Sequence, residues 1–230
     1  MPKRMIALLS APVADYWQID LLEVDRGIQH ALTRDNNRYG FMWSLDGQEI
    51  GFLSRLTGNT VMDWTGHNRY PMSDSDLWIT QFAYNPSQFD GNSRWNVSGT
   101  ERVFESNFKI YICDAECKNA WQVTKDGTSI DRTPAWSPDG KQIMFSSDRN
   151  GYYSEIYIMN RDGTAIQRLT DNNVDDIYPA WSADSQQIAF SRFVDGSWEI
   201  FVMNVDGTNS RRLTHNHLND VLPTWQPGNS

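Results

Sequence analysis

Cysteine is scarce: the 230 residues contain only Cys113 and Cys117. A structural zinc site needs four ligands, so a single Cys-x-x-x-Cys pair is no zinc site by itself. The spacing also differs from the Cys-x-x-Cys of redox dithiols. A local disulfide and two free thiols both stay open. No apolar run is long enough to cross a bilayer as a helix. Basic charge is deficient, with 20 Lys and Arg against 29 Asp and Glu, a net charge of −9 and a pI near 4.8. That argues against general nucleic-acid binding, which needs a basic footprint to release counterions. No Gly-x-Ser-x-Gly nucleophile elbow occurs, and no carboxylate spacing fixes a glycosidase pair. The opening MPKRMIALLSAPVAD imitates a secretion signal but is shorter than the usual range.

Aromatic residues are plentiful, 13% of the chain, which argues for a packed core over disorder. The clearest pattern is TPAWSPDGKQIMFSS, from Thr133 to Ser147. It reads as strand, turn, strand. Pro138 presets one turn position and Gly140 takes the positive-φ position. The pattern returns at Trp43 (WSLDGQEIGFLS), Trp95 (WNVSGTERVFES), Trp181 (WSADSQQIAFSR) and Trp225 (WQPGNS). Such spacings, roughly 40 to 50 residues, suit four-stranded propeller blades. A second motif also repeats: EIYIMNRDGTAIQRLT (Glu155 to Thr170) aligns with stretches beginning at Gln18, Lys109 and Glu199, and more weakly at Gly58. Each reads strand, turn, strand.

One unit therefore has four strands. The chain begins at a second strand, where Arg4 to Leu8 correspond to Lys141 to Phe145, and it ends on an orphan first strand, Val221 to Trp225. These deficits cancel if the last strand completes the first sheet and closes a ring without an exposed edge. The expectation is an all-β, single-domain, five-bladed propeller of antiparallel blades over residues 1–230. The blades are 4–33 with 221–226, then 38–73, 90–124, 131–170 and 176–214. Arg4 to Leu8 then belong to a strand and not to a cleaved leader.

The units PAWSPDGKQIMFSS…EIYIMNRDGTAIQRLT and PAWSADSQQIAFSR…EIFVMNVDGTNSRRLT resemble TolB-type β-propeller repeats. The resemblance runs over Asp131 to Trp225 and, less closely, over Leu32 to Trp64 and Trp95 to Thr124. It implies the propeller fold and a periplasmic or extracellular binding protein. TolB-type proteins have six blades and a further N-terminal domain, so the specific partners of TolB do not carry over. Similar repeats occur in propellers attached to peptidases and in some polysaccharide lyases.

Two features stand out on the face formed by the longer connections. The segment from Ser73 to Trp95 is about twice as long as its equivalents and carries Leu77, Trp78, Phe82, Tyr84 and Phe89. Trp78, Phe82 and Tyr84 are candidates for an aromatic platform, or else they cap the propeller as a small satellite core. Tyr16, Trp17, Tyr152 and Tyr153 lie on the same face. The second feature is the position five residues before each repeat Trp: Arg38, Asp90, Asp131, Asp176 and Asp220. Inner strands should bring these to the channel mouth, where they hold Ca²⁺ or another cation, or bond to backbone N–H groups and fix the loops. His215 and His217 could join Asp220 as metal ligands, ordinary exposed histidines being the simpler reading. The leading function is a monomeric, non-enzymatic module recognising a protein, peptide or glycan. The alternative is a metal-assisted polysaccharide lyase or hydrolase.

Overall fold

The middle strands of a unit carry most of its apolar residues because neighbouring blades cover them on both sides. The structure, a computed structural model, describes residues 4–13, 16–34, 38–44, 46–54, 58–71, 94–96, 98–125 and 127–228. Blade one comprises β1 (Met5–Val13), β2 (Tyr16–Glu23), β3 (Ile28–Ala31) and, inside them, β20 (Asn219–Trp225). Blade two is β4 (Arg38–Trp43), β5 (Glu49–Ser54), β6 (Gly58–Asp63) and β7 (Arg69–Pro71). Blade three is β8 (Arg94–Trp95), β9 (Glu101–Ser106), β10 (Lys109–Asp114) and β11 (Ala120–Gln122). Blade four is β12 (Asp131–Trp136), β13 (Gln142–Ser147), β14 (Glu155–Asn160) and β15 (Gln167–Arg168). Blade five is β16 (Asp176–Trp181), β17 (Gln187–Val194), β18 (Ser197–Asn204) and β19 (Arg211–Arg212). First strands touch first strands, β8 on β12, β12 on β16 and β16 on β20, as the inner strands of a propeller do. Among the described residues no helix is long and apolar enough to cross a membrane.

The ring closes as the repeat register requires. β20 pairs with β1 through Ile6↔Trp225, Ala7↔Thr224, Leu9↔Val221, Ser10↔Asp220 and Ala11↔Asn219. The secretion-signal likeness of the start now has a structural cause. Met5, Ala7 and Leu9 pack against blade two, while Ile6 and Leu8 pack against blade five. A strand buried on both faces must be apolar at every position, which is what a signal's apolar stretch also looks like.

Trp43, Trp136, Trp181 and Trp225 are wedges between blades. Trp43 Nε1–H donates to the Thr224 carbonyl (3.1 Å), Trp225 to Ala180 (3.1 Å) and Trp181 to Ala135 (3.4 Å). Each acceptor precedes the Trp of the adjoining blade. Trp136 is as buried but its N–H finds no partner among the described residues. The Thr that ends four of the units has a shared role. Thr33, Thr124, Thr170 and Thr214 accept the backbone N–H of Ile19, Ile110, Ile156 and Ile200 at 2.9–3.0 Å, tying the outer strand to the third strand. Cys113 and Cys117 are joined as a disulfide across the β10–β11 hairpin, Cα–Cα 4.9 Å.

The inner strands are bulged. The register with the second strand shifts between Arg132 and Ala135, between Ile177 and Ala180, and between Arg38 and Phe41. At the bulge Thr133, Tyr178 and Leu222 take left-handed φ values of 52°, 56° and 55°. Each immediately precedes a proline. Bulges increase local twist and re-aim side chains, here at the channel end of the blade.

Candidate functional site

The loops joining second to third strands share a face with the beginnings of the inner strands. In blades three, four and five this end docks on the next blade: Asp131 N–H donates to Phe108 O (2.9 Å), Asp176 N–H to Ser154 O (2.7 Å), and Trp198 N–H to the Asn219 side chain (3.1 Å). Asp131, Asp176 and Asp220, at or near the starts of their inner strands, therefore lie beside these loops.

In blade four, Asp131 is buried and accepts from the Ser147 hydroxyl (2.6 Å) and the Arg149 guanidinium (2.9 Å). Arg149 also covers the stacked rings of Phe145 and Tyr157, at 4.8 and 5.0 Å from their centroids. In blade five, Arg192 grips Asp176 with two bonds of 2.7 Å and lies over Phe190 and Phe201. Such bidentate, ring-stacked geometry suits arginine and not lysine. A second carboxylate per blade is paired likewise: Glu155 with Arg168 and Thr170, Glu199 with Arg212 and Thr214. Burial nevertheless pushes the Glu155 carboxyl above its usual range.

Blade one differs. Asp220 is fully buried and accepts from the amides of Asn216 (2.9 Å) and, more distantly, Gln29 (3.3 and 3.4 Å), with no arginine beside it. Burial pushes its carboxyl up to about 6. Its neighbour Asp20, which no sequence pattern marks, is also buried and takes N–H groups from Gln18 (2.9 Å) and Gln29 (2.8 Å). Burial raises Asp20 as well.

Asp131, Asp176 and Asp220 thus come to one end of the ring, each held by its own set of donors. His215 and His217 are exposed while Asp220 is buried, and no three His, Cys, Asp or Glu side chains gather as a metal group among the described residues. Arg38 lies on β4 opposite Ser54, but its side chain is outside the described residues. Asp90, Trp78, Phe82 and Tyr84 are outside them entirely.

The same face carries an aromatic set. Tyr152 is 100% exposed, Phe108 51%, Tyr153 44% and Phe193 40%. Phe193 meets Trp198 edge-on at 5.4 Å, and Arg132 lies 5.2 Å from the Phe108 ring centre. Phe108 is in the two-residue turn Asn107-Phe108 between β9 and β10, at φ 60°. The matching turn of blade five is Asp195-Gly196, with glycine at that second position. Sequence reasoning picked out Tyr152 and Tyr153 but missed Phe108 and Phe193. The available signal was a two-residue hairpin whose second position holds Phe where turn chemistry asks for Gly.

Comparison with known proteins agrees with this architecture. The TolB β-propeller domain model matches residues 42–177, and the model of the dipeptidyl peptidase IV N-terminal region matches 137–225. The uncharacterized peptidase YuxL of Bacillus subtilis is 39% identical over 67 residues, taking in 25% of this chain and 10% of the relative. The chain thus matches only about a tenth of that protein's length. A TolB structure from Agrobacterium tumefaciens superposes with TM-score 0.50 at 20% identity, over 99% of this chain and 84% of that one. Hydrazine synthase of Kuenenia stuttgartiensis gives TM-score 0.71 at 10% identity, over 97% and 46%. Likeness at these identities concerns the fold alone.

Proposed function

Because this chain belongs to the TolB β-propeller domain family, we propose that it is a binding module that takes a protein or peptide partner on the face where the second-to-third-strand loops surround the channel mouth. The observation that carries this reading is Phe108. A left-handed backbone costs a non-glycine residue about 1–2 kcal/mol, and half of this large apolar side chain faces water. Folding alone would favour glycine there, as in blade five. Strain combined with exposure is characteristic of residues retained for recognition. Tyr152, Tyr153 and Phe193 extend the same surface, and rigid aromatic side chains are the usual anchors of protein interfaces. The partner's polar groups would meet Arg132 beside Phe108.

The test is selection of peptides from a random display library on the wild-type protein. Selected peptides should lose about tenfold or more in affinity for a Phe108→Gly, Tyr153→Ser, Phe193→Ser variant. Peptides that bind the variant as tightly would refute this assignment of the face. A second reading rests on the YuxL match: the propeller guides peptide substrates for a peptidase. Faster turnover of a quenched fluorescent peptide by a peptidase when the purified chain is added would favour it.

A further inference from the structure

Blades four and five each balance the carboxylate at the start of the inner strand with an arginine, and blade one does not. Asp220 and Asp20 are both buried, and both accept from the same Gln29 Nε2. Their other donors are amides as well, Asn216 for Asp220 and Gln18 for Asp20. Gln29 cannot turn around freely, because its Oε1 accepts from Asn216 Nδ2 (2.9 Å), and Asn216 Oδ1 in turn accepts the Leu218 N–H. The Ser10 hydroxyl, paired in register with Asp220, lies near enough to both carboxylates to lower their pKa values but makes no well-formed hydrogen bond. Across the seam, Ser191 on β17 likewise buries a hydroxyl without a partner. The charged groups that bear on the pair are Glu199 from β18, which repels Asp220 and is itself tied to Arg212, and His30 from β3, which acts on Asp20. Among the described residues no Lys or Arg reaches either carboxylate within ion-pair distance.

Two carboxylates sharing one donor in a desolvated site cannot both ionise without cost. We propose that Asp20 and Asp220 form a proton-operated latch on the ring-closing strand. With a proton on the pair, β20 is held against β1. With both groups ionised, repulsion loosens the end of the ladder at Ser10↔Asp220 and Ala11↔Asn219. The direction of titration supports this. Asp220 is raised to about 6 from an ordinary 3.8, so its contribution to stability is complete below about 3.8 and lost as pH rises through about 6. Blades four and five, with arginine in place, have no equivalent release.

Two measurements test the latch. Asp220→Asn and Asp20→Asn imitate the protonated form. Each should raise Tm at pH 7.5 by roughly 5 °C, with the gain over wild type vanishing near pH 4. In the wild-type protein, hydrogen-exchange protection at Ser10 and Ala11 should fall from pH 5 to pH 7.5, while that at Arg132 and Ser146 in blade four holds. Variants that lower Tm equally at both pH values would overturn the latch, as would unchanged protection in β1. A calcium-induced rise in wild-type Tm with no pH dependence would also overturn it, showing a cation site in place of a proton.

Discussion

Arg192 shows how a single residue holds an inner strand in place. Its guanidinium satisfies both oxygens of a fully buried Asp176 while its plane covers Phe190 and Phe201. Removing the arginine leaves a desolvated charge with only Asn172 to serve it. Arg192→Met is therefore expected to cost about 3–5 kcal/mol, whereas Arg192→Met with Asp176→Asn should recover most of the loss, since the pair itself is worth little net stability. Urea unfolding of the single and double variants checks this. Equal losses in both would mean that packing over the rings outweighs the ion pair. The recurrent aspartate was legible in the sequence, but its partner was not. Arg149 comes from the loop after β13 and Arg192 from within β17, so no fixed spacing connects either to its carboxylate. Asp20 was less legible still, because it interrupts the apolar run Ile19-Asp20-Leu21-Leu22 and its donor Gln29 is on another strand.

At the scale of the element, the strands followed from turn chemistry and repetition, and the bulges did not. Proline after Thr133, Tyr178 and Leu222 hints at irregularity, yet a residue before proline is expected in extended backbone and not at positive φ. The structure nevertheless places all three at positive φ, and Gly40 occupies the corresponding position in blade two. β20 is the element on which closure depends, for it covers the inner edge of β1. Deleting residues 219–230 would leave an unpaired apolar strand edge, a template for pairing with another copy. The expected outcome is self-association, seen by light scattering on a sizing column. A monodisperse monomer with unchanged circular dichroism would show that closure is dispensable.

The whole molecule responds to acid through two opposed sets of carboxylates. Turn aspartates are held below their usual range chiefly by a nearby hydroxyl: Ser44 for Asp46, Ser137 for Asp139, Thr164 for Asp162, Ser182 for Asp184 and Thr208 for Asp206. Asp63, beside Thr65, is lowered to about 2. Their stabilisation is present above the ordinary carboxylate value and lost as pH falls through the depressed values. Burial raises Asp20, Glu155 and Asp220, whose stabilisation is lost as pH rises. Stability should therefore peak between roughly pH 4 and 6, on the acid side of neutrality. Urea midpoints from pH 3 to 8 would show this, and a maximum above pH 7 would contradict it.

The pairing of β1 with β20 also has a consequence in time. Ile6 meets Trp225 only after nearly all of the intervening chain has been made. At about 5–20 residues per second, the first strand waits on the order of ten to forty seconds for its inner partner. During that interval Met5 to Leu9 form an apolar strand with one side of their backbone unsatisfied. Synthesis of this protein should thus depend on whatever shields that strand until the ring shuts, and slowing translation should lengthen its exposure.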